Sequence, residues 1–194
     1  MQKLTRADLY SLEHYAELRP GFRSRVMAHK KNRQLAIGPH VTLYFEDRLT
    51  IHYQIQEMLR AERIFEADGI EAELEAYNPL IPDGGNWKAT MMIEYADIAE
   101  RQQALGRMMG IEDRVWIGVN GFERVFAIAD EDLERETRSK TSAVHFLRFE
   151  LTPGMAVAVK SGAEITAGID HQAYIHEVDS MPDPVRVSLA ADLD

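Results

Sequence analysis

The sequence predicts an α+β fold: a mainly antiparallel mixed sheet with helices packed on it, N-terminal helices and one Asn-Gly hairpin. Three observations carry this. Strand-like and helix-like segments interleave along all 194 residues. VWIGV and FERVFAIA flank Asn120–Gly121, a pair suited to the positive φ angles of a tight hairpin. HVTLYFEDR alternates Val41, Leu43 and Phe45 against Thr42, Tyr44 and Glu46, the pattern of a half-buried strand.

In chain order, Thr5 and Asp8 resemble a capping box and start a helix running to about Leu18. Pro20 suits the first turn of a second helix ending near Arg33. After the 41–46 strand, Ile51, Ile55, Met58, Leu59 and Phe65 recur at helical spacing, with Thr50 as cap. Another helical piece spans about Gly69–Tyr77, capped by Asp68, before the turn-rich NPLIPDGGN. KATMMIEY reads as a strand, and ADIAERQQALGRMMG as a helix capped by Asp97 and stopped at Gly110. DEDLERETRSK reads as a loop or short helix, VHFLRFEL as a strand, and Thr152–Pro153 opens a short helix ending at Gly162. AEITAGID and YIHEV follow as strands, and Asp183–Pro184 begins a final helix to about Leu193. We expect a single domain over 1–194, helical over about 1–77 and sheet-rich over about 86–194.

Composition narrows the function. Cysteine is absent, which excludes disulfides, iron–sulfur ligation, thiolate zinc sites and cysteine nucleophiles. The N-terminus lacks an apolar signal-like core, and no apolar run approaches membrane-spanning length, so a cytoplasmic location is expected. Net charge is −10, which argues against general nucleic-acid affinity. The stretch from Leu18 to Phe45 nevertheless has no acid and carries Arg19, Arg23, Arg25, Lys30, Lys31 and Arg33. That segment reads either as a solvated helix face or as a dock for an anion or acidic partner. A homodimer stays open.

The segment GIDHQAYIHEV holds His171 and His176, five residues apart. In a strand these two point to opposite faces, so one regular element cannot offer both to one ion. His171 instead continues the apolar face of Ile165, Ala167 and Ile169, and His145 shares a face with Leu147, Phe149 and Leu151. Glu62 lies in the stripe of Ile55, Met58 and Leu59, where a carboxylate is costly unless paired, protonated or metal-bound. His145, His171 and Glu62 are therefore candidate ligands of a non-haem metal ion (iron, manganese or zinc) or an acid–base cluster. The competing reading is two core histidines bonded to backbone carbonyls and Glu62 paired with an arginine such as Arg60 or Arg63. A shared site requires the strands of His145 and His171 to end together. Parallel pairing would separate the two by roughly 20 Å at ~3.3 Å per residue. Ser139, Thr141 and Ser142 bring hydroxyls near His145, but no GxSxG elbow, GxGxxG or phosphate loop is present.

The segments LTRADLYSLEHYAELRPGFR, QIQEMLRAERI, YNPLIPDG, VHFLRFEL and GIDHQAY occur in this order over most of the chain. Together they resemble the bacterial family called domain of unknown function 3501. His145, His171 and Glu62 fall inside family-like segments, as do Glu57, Arg60, Arg148, Glu150, Asp170 and Tyr174, while His52 and His176 fall outside. The family pattern has proline at the position of Gln172. The resemblance implies a neighbourhood of rubrerythrin and an iron–sulfur oxidoreductase. The expected role is a cytoplasmic accessory protein of a rubrerythrin-type oxidative-stress or non-haem iron system, with such a redox protein as partner. The alternative is a non-enzymatic module docking through residues 19–33. Whether the chain is an enzyme is left open.

Overall fold

The computed structural model describes residues 2–132, 135 and 139–194. Part of the DEDLERETRSK segment lies outside the described residues. The α+β class holds: among the described residues, six α-helices accompany two antiparallel sheets, of five and four strands. The strands are β1 (Gln34–Ile37), β2 (Val41–Glu46), β3 (Asn86–Ile93), β4 (Val115–Val119), β5 (Val125–Phe126), β6 (Ile128–Ala129), β7 (Val144–Glu150), β8 (Ile165–His171) and β9 (Tyr174–Val178). The larger sheet runs β1-β2-β3-β7-β6 and the smaller β5-β4-β8-β9.

Both sheets turn an apolar face into one core. Leu43, Phe45, Met91 and Phe149 come from the first, and Ile117, Ile165 and Ile169 from the second. The period-2 pattern read at residues 41–46 is the burial pattern observed: odd positions are buried and even ones half-buried. The strand after the Asn–Gly turn switches sheets. Val125 and Phe126 pair with β4, whereas Ile128 and Ala129 pair with β7, and the Ala127 N–H between them bonds the Val115 carbonyl at 2.8 Å.

The helices are α1 (Leu12–Lys30), α2 (Arg48–Glu62), α3 (Ala67–Tyr77), α4 (Ile98–Arg107), α5 (Pro153–Lys160) and α6 (Asp183–Ala190). Two expected helices in the first third prove to be one. Thr5 and Asp8 bracket only a three-residue turn, Arg6–Asp8, and α1 starts at its Ser11 cap and runs through Pro20. Proline removes one helical hydrogen bond. Tyr15, Phe22 and Val26 nevertheless lie on one face across it and pack with Tyr53 of α2. Helix α2 begins earlier than its periodicity suggested. The Asp47 carboxylate accepts from the Thr50 N–H (2.8 Å) while the Thr50 hydroxyl accepts from the Asp47 N–H (2.9 Å), a reciprocal cap. Helix α3 likewise starts after Glu66 rather than Asp68. Among the described residues, no helix is long and apolar enough to cross a membrane.

Candidate metal centre

β7 places His145 as the alternation required, on the inner face with Leu147 and Phe149, fully buried. What surrounds it comes from elsewhere. Its Nδ1 lies 2.6 Å from Oδ2 of Asp130, the residue just after β6. Its Nε2 lies 2.9 Å from Oγ1 of Thr141, 3.1 Å from the Ser142 carbonyl and 3.7 Å from Oε2 of Glu112. Glu112 sits in a short turn, Glu112–Arg114, that leads into β4. Glu112, Asp130 and His145 each offer one ligand atom, and these atoms lie within 4.8 Å of one another. One imidazole with two carboxylates is a donor set for manganese, iron or zinc.

Asp130 is held in place from several sides. Its backbone is left-handed (φ +47°), a conformation aspartate tolerates better than most residues. Its Oδ1 accepts from the Phe146 N–H at 2.9 Å and lies 3.4 Å from an Arg135 nitrogen. With Oδ2 turned to His145 Nδ1, Asp130 fixes the ring so that Nε2 points toward Glu112 and Thr141. A carboxylate behind an imidazole in this way orients it and raises its basicity as a ligand.

The residues expected to join His145 are placed elsewhere. β7 and β8 belong to different sheets, so the pairing that would have aligned their ends does not occur. The His171 ring is satisfied by backbone, its Nε2 3.0 Å from the Met109 carbonyl and its Nδ1 accepting from the Ala173 N–H at 3.2 Å. His171 and Tyr174 face each other across a two-residue turn, Gln172–Ala173, which leaves His176 opposite Ile169. Glu62 ends α2 and is exposed rather than inside the apolar stripe. Glu62 keeps the spacing of the stripe but sits in the last turn, because α2 ends at Arg63, which adopts φ +57°. The structure therefore gathers Glu112 and Asp130, not Glu62 and His171, about His145. Neither carboxylate had a local signal. Both lie at element ends among many acids, and only the meeting of the two sheets brings them together. Thr141 was noticed for its hydroxyl, and that hydroxyl does bond the imidazole.

The basic segment also divides. Arg33 is buried, 2% exposed, and is not a surface cation. It donates to the Phe45 and Glu46 carbonyls, both at 3.0 Å, and forks onto Asp192 at 2.5 and 3.2 Å. Arg19 forks onto Glu57, both bonds at 2.8 Å. Arg23, Arg25 and Lys31 remain exposed and Lys30 half-buried, with the Arg25 guanidinium 5.0 Å from the Phe22 ring centre.

Residues 3–193 match the family model described as "Protein of unknown function (DUF3501)". The chain belongs to this family. A crystal structure described as a novel protein of unknown function from Burkholderia pseudomallei is 53% identical, with a TM-score of 0.95 and 100% of each chain covered. No curated protein matches the chain.

Proposed function

We propose that this DUF3501 protein binds a divalent metal ion, iron, manganese or zinc, through Glu112 and Nε2 of His145, with Asp130 orienting the imidazole from its Nδ1 side. The carrying observation is the convergence of three potential ligand atoms within 4.8 Å, two of them on buried residues. Burial of His145 and Glu112 makes the centre structural in character, a clasp joining the β6–β7 edge of one sheet to the entry of β4 in the other. Such an ion would stabilise the folded state by an amount that grows with the logarithm of its free concentration above the dissociation constant. A cytoplasmic accessory role beside a rubrerythrin-type iron or oxidative-stress system is the setting that the family resemblance supports, with the metal as its link to that chemistry.

Metal analysis of untagged protein tests this. About one equivalent of iron, manganese or zinc is expected, lost in Glu112→Gln and in His145→Ala, and chelation should lower the melting temperature of the wild type only. A second reading has its own observation. Thr141 Oγ1 lies 3.3 Å from Glu112 and 2.9 Å from His145, so the polar groups already form a connected network. In that reading His145 is an internal ion-pair partner of Asp130 and Glu112. His145→Gln would then cost about 3–5 kcal/mol, while chelators and added metal would leave the wild type unchanged.

A further inference from the structure

The apolar clusters of this molecule leave a gap between its helical layer and its larger sheet. The first three helices bury clusters of their own: Ile51, Ile55 and Leu59 with Leu74, and Tyr15, Phe22 and Val26 with Tyr53. The larger sheet commits its inner face to the main core. Its outer-face residues Tyr44, Met92, Val144 and Phe146 belong to none of these clusters, although they are half-buried rather than exposed. Two adjoining cavities, of about 410 and 390 Å³, lie over that face, and Tyr77, Leu80 and Phe146 line both. Each is large enough for a small organic molecule, and such sites are apolar with a few placed polar groups.

Strand register sets the polar groups in rows. Glu46, Lys88 and Arg148 lie side by side across β2, β3 and β7, next to the row Tyr44, Thr90 and Phe146. Most charges around the cleft are already engaged. Arg148 forks onto Glu131, both bonds at 2.8 Å, and also pairs with Glu150. Asp132 accepts from Arg135 at 2.6 and 2.7 Å. Glu46 accepts from the Thr50 and Thr90 hydroxyls at 2.6 and 2.8 Å. Lys88 has no hydrogen bond or ion pair among the described residues, yet it lines the larger cavity and is half-buried. Burial holds its pKa below the usual lysine range, with Glu131 pulling the other way. An ammonium ion in that setting has no contacting anion among the described residues to offset its desolvation in full.

We propose that this cleft binds a small amphipathic carboxylate, with its single negative charge on Lys88 and its apolar body along Phe146, Leu80 and Tyr77. A doubly charged phosphate fits less well, because Glu75, Glu131 and Asp132 border the same cavity, where Lys88 is the one cation without a hydrogen bond or ion pair among the described residues, and Lys30 lines the adjoining cavity instead. The site is separate from the Glu112–Asp130–His145 group: Phe146 and His145 are successive strand residues and point to opposite faces of the sheet.

Calorimetric titration of the full chain with decanoate, naphthalene-2-carboxylate and uncharged decanol tests the proposal. Both carboxylates should bind the wild type. Lys88→Met should weaken them about tenfold or more, as expected for a lost charged hydrogen bond. Lys88→Arg should restore most of that loss, and decanol should bind both variants alike. Phe146→Ala should weaken all three ligands. Melting curves of each variant report whether it folds. Failure of both carboxylates to bind the wild type, or equal binding by a folded Lys88→Met protein, would overturn the proposal.

Discussion

Glu57 accepts three hydrogen bonds, from Tyr15 Oη and from Nε and Nη2 of Arg19, all at 2.8 Å. The Arg19 guanidinium, aided by Tyr15 and opposed by partial burial, lowers the Glu57 carboxyl from its ordinary 4.5 to about 2. A carboxyl with a depressed folded-state value stabilises the protein above its unfolded pKa and loses that contribution as pH falls through the folded one. The wild type should therefore lose stability between pH 4.5 and about 2. Glu57→Gln should flatten that slope and cost about 1–2 kcal/mol at neutral pH, the low end for a charged bond that salt partly screens. Melting temperature against pH for both proteins checks it. An unchanged acid limb would mean that Glu57 carries no net stabilisation. Sequence composition counted Arg19 as one of six cations in an acid-free stretch. It could not see this partner, because a charge run reveals its sign and not its neighbours.

Elements were readable to the extent that their signals were local. Asn120–Gly121 makes its tight turn, with the Phe122 N–H bonding the Val119 carbonyl at 2.9 Å and Gly121 at φ +88°. The hairpin that follows is not the two-residue one its sequence suggested. Pairing with β5 begins only at Ile117 with Val125, while β4 pairs along its whole length with β8 on its other edge. A two-residue hairpin loop forms instead at Gln172–Ala173. A side chain at Gly121 would meet nothing within 4 Å, so a substitution there tests backbone conformation alone. Gly121→Val should cost about 1–3 kcal/mol through the left-handed φ, and Gly121→Asn, which tolerates that φ, should cost clearly less. Chemical denaturation of the two variants makes the comparison, and equal losses would place the cost elsewhere than φ. Pro20 teaches the converse. Its local signal started a new helix, but an apolar face continuous from Tyr15 to Val26 offset the loss of one backbone bond.

At the scale of the whole molecule, Arg33 ties the C-terminal end of the chain to β2. Its guanidinium reaches the carbonyls of Phe45 and Glu46 on one side and Ser188 Oγ (3.1 Å) and Asp192 on the other. Burial pushes the Asp192 carboxyl up to about 6, although Arg33 pulls it down. A raised folded-state value means that ionising Asp192 costs stability as pH rises from 3.8 through about 6. Arg33→Met removes the cation and leaves that carboxylate buried, which should cost about 3–5 kcal/mol near neutral pH. The deficit should shrink near pH 5, where folded Asp192 keeps its proton. A deficit independent of pH would show that lost packing, not the stranded charge, is responsible.

By itself the sequence determined the α+β class, most strands and helices, the buried faces of His145 and His171, and the family. Each of these depends on periodicity, turn chemistry or motif order, which act over a few residues or are matched one by one. Tertiary structure alone decided that β7 and β8 belong to different sheets, that Glu112 and Asp130 surround His145, that Arg33 is a core residue and that Lys88 has no hydrogen bond or ion pair among the described residues. Each of those depends on which distant segments pack together. Periodicity tells which face of a strand is buried, but not what the fold will set against it.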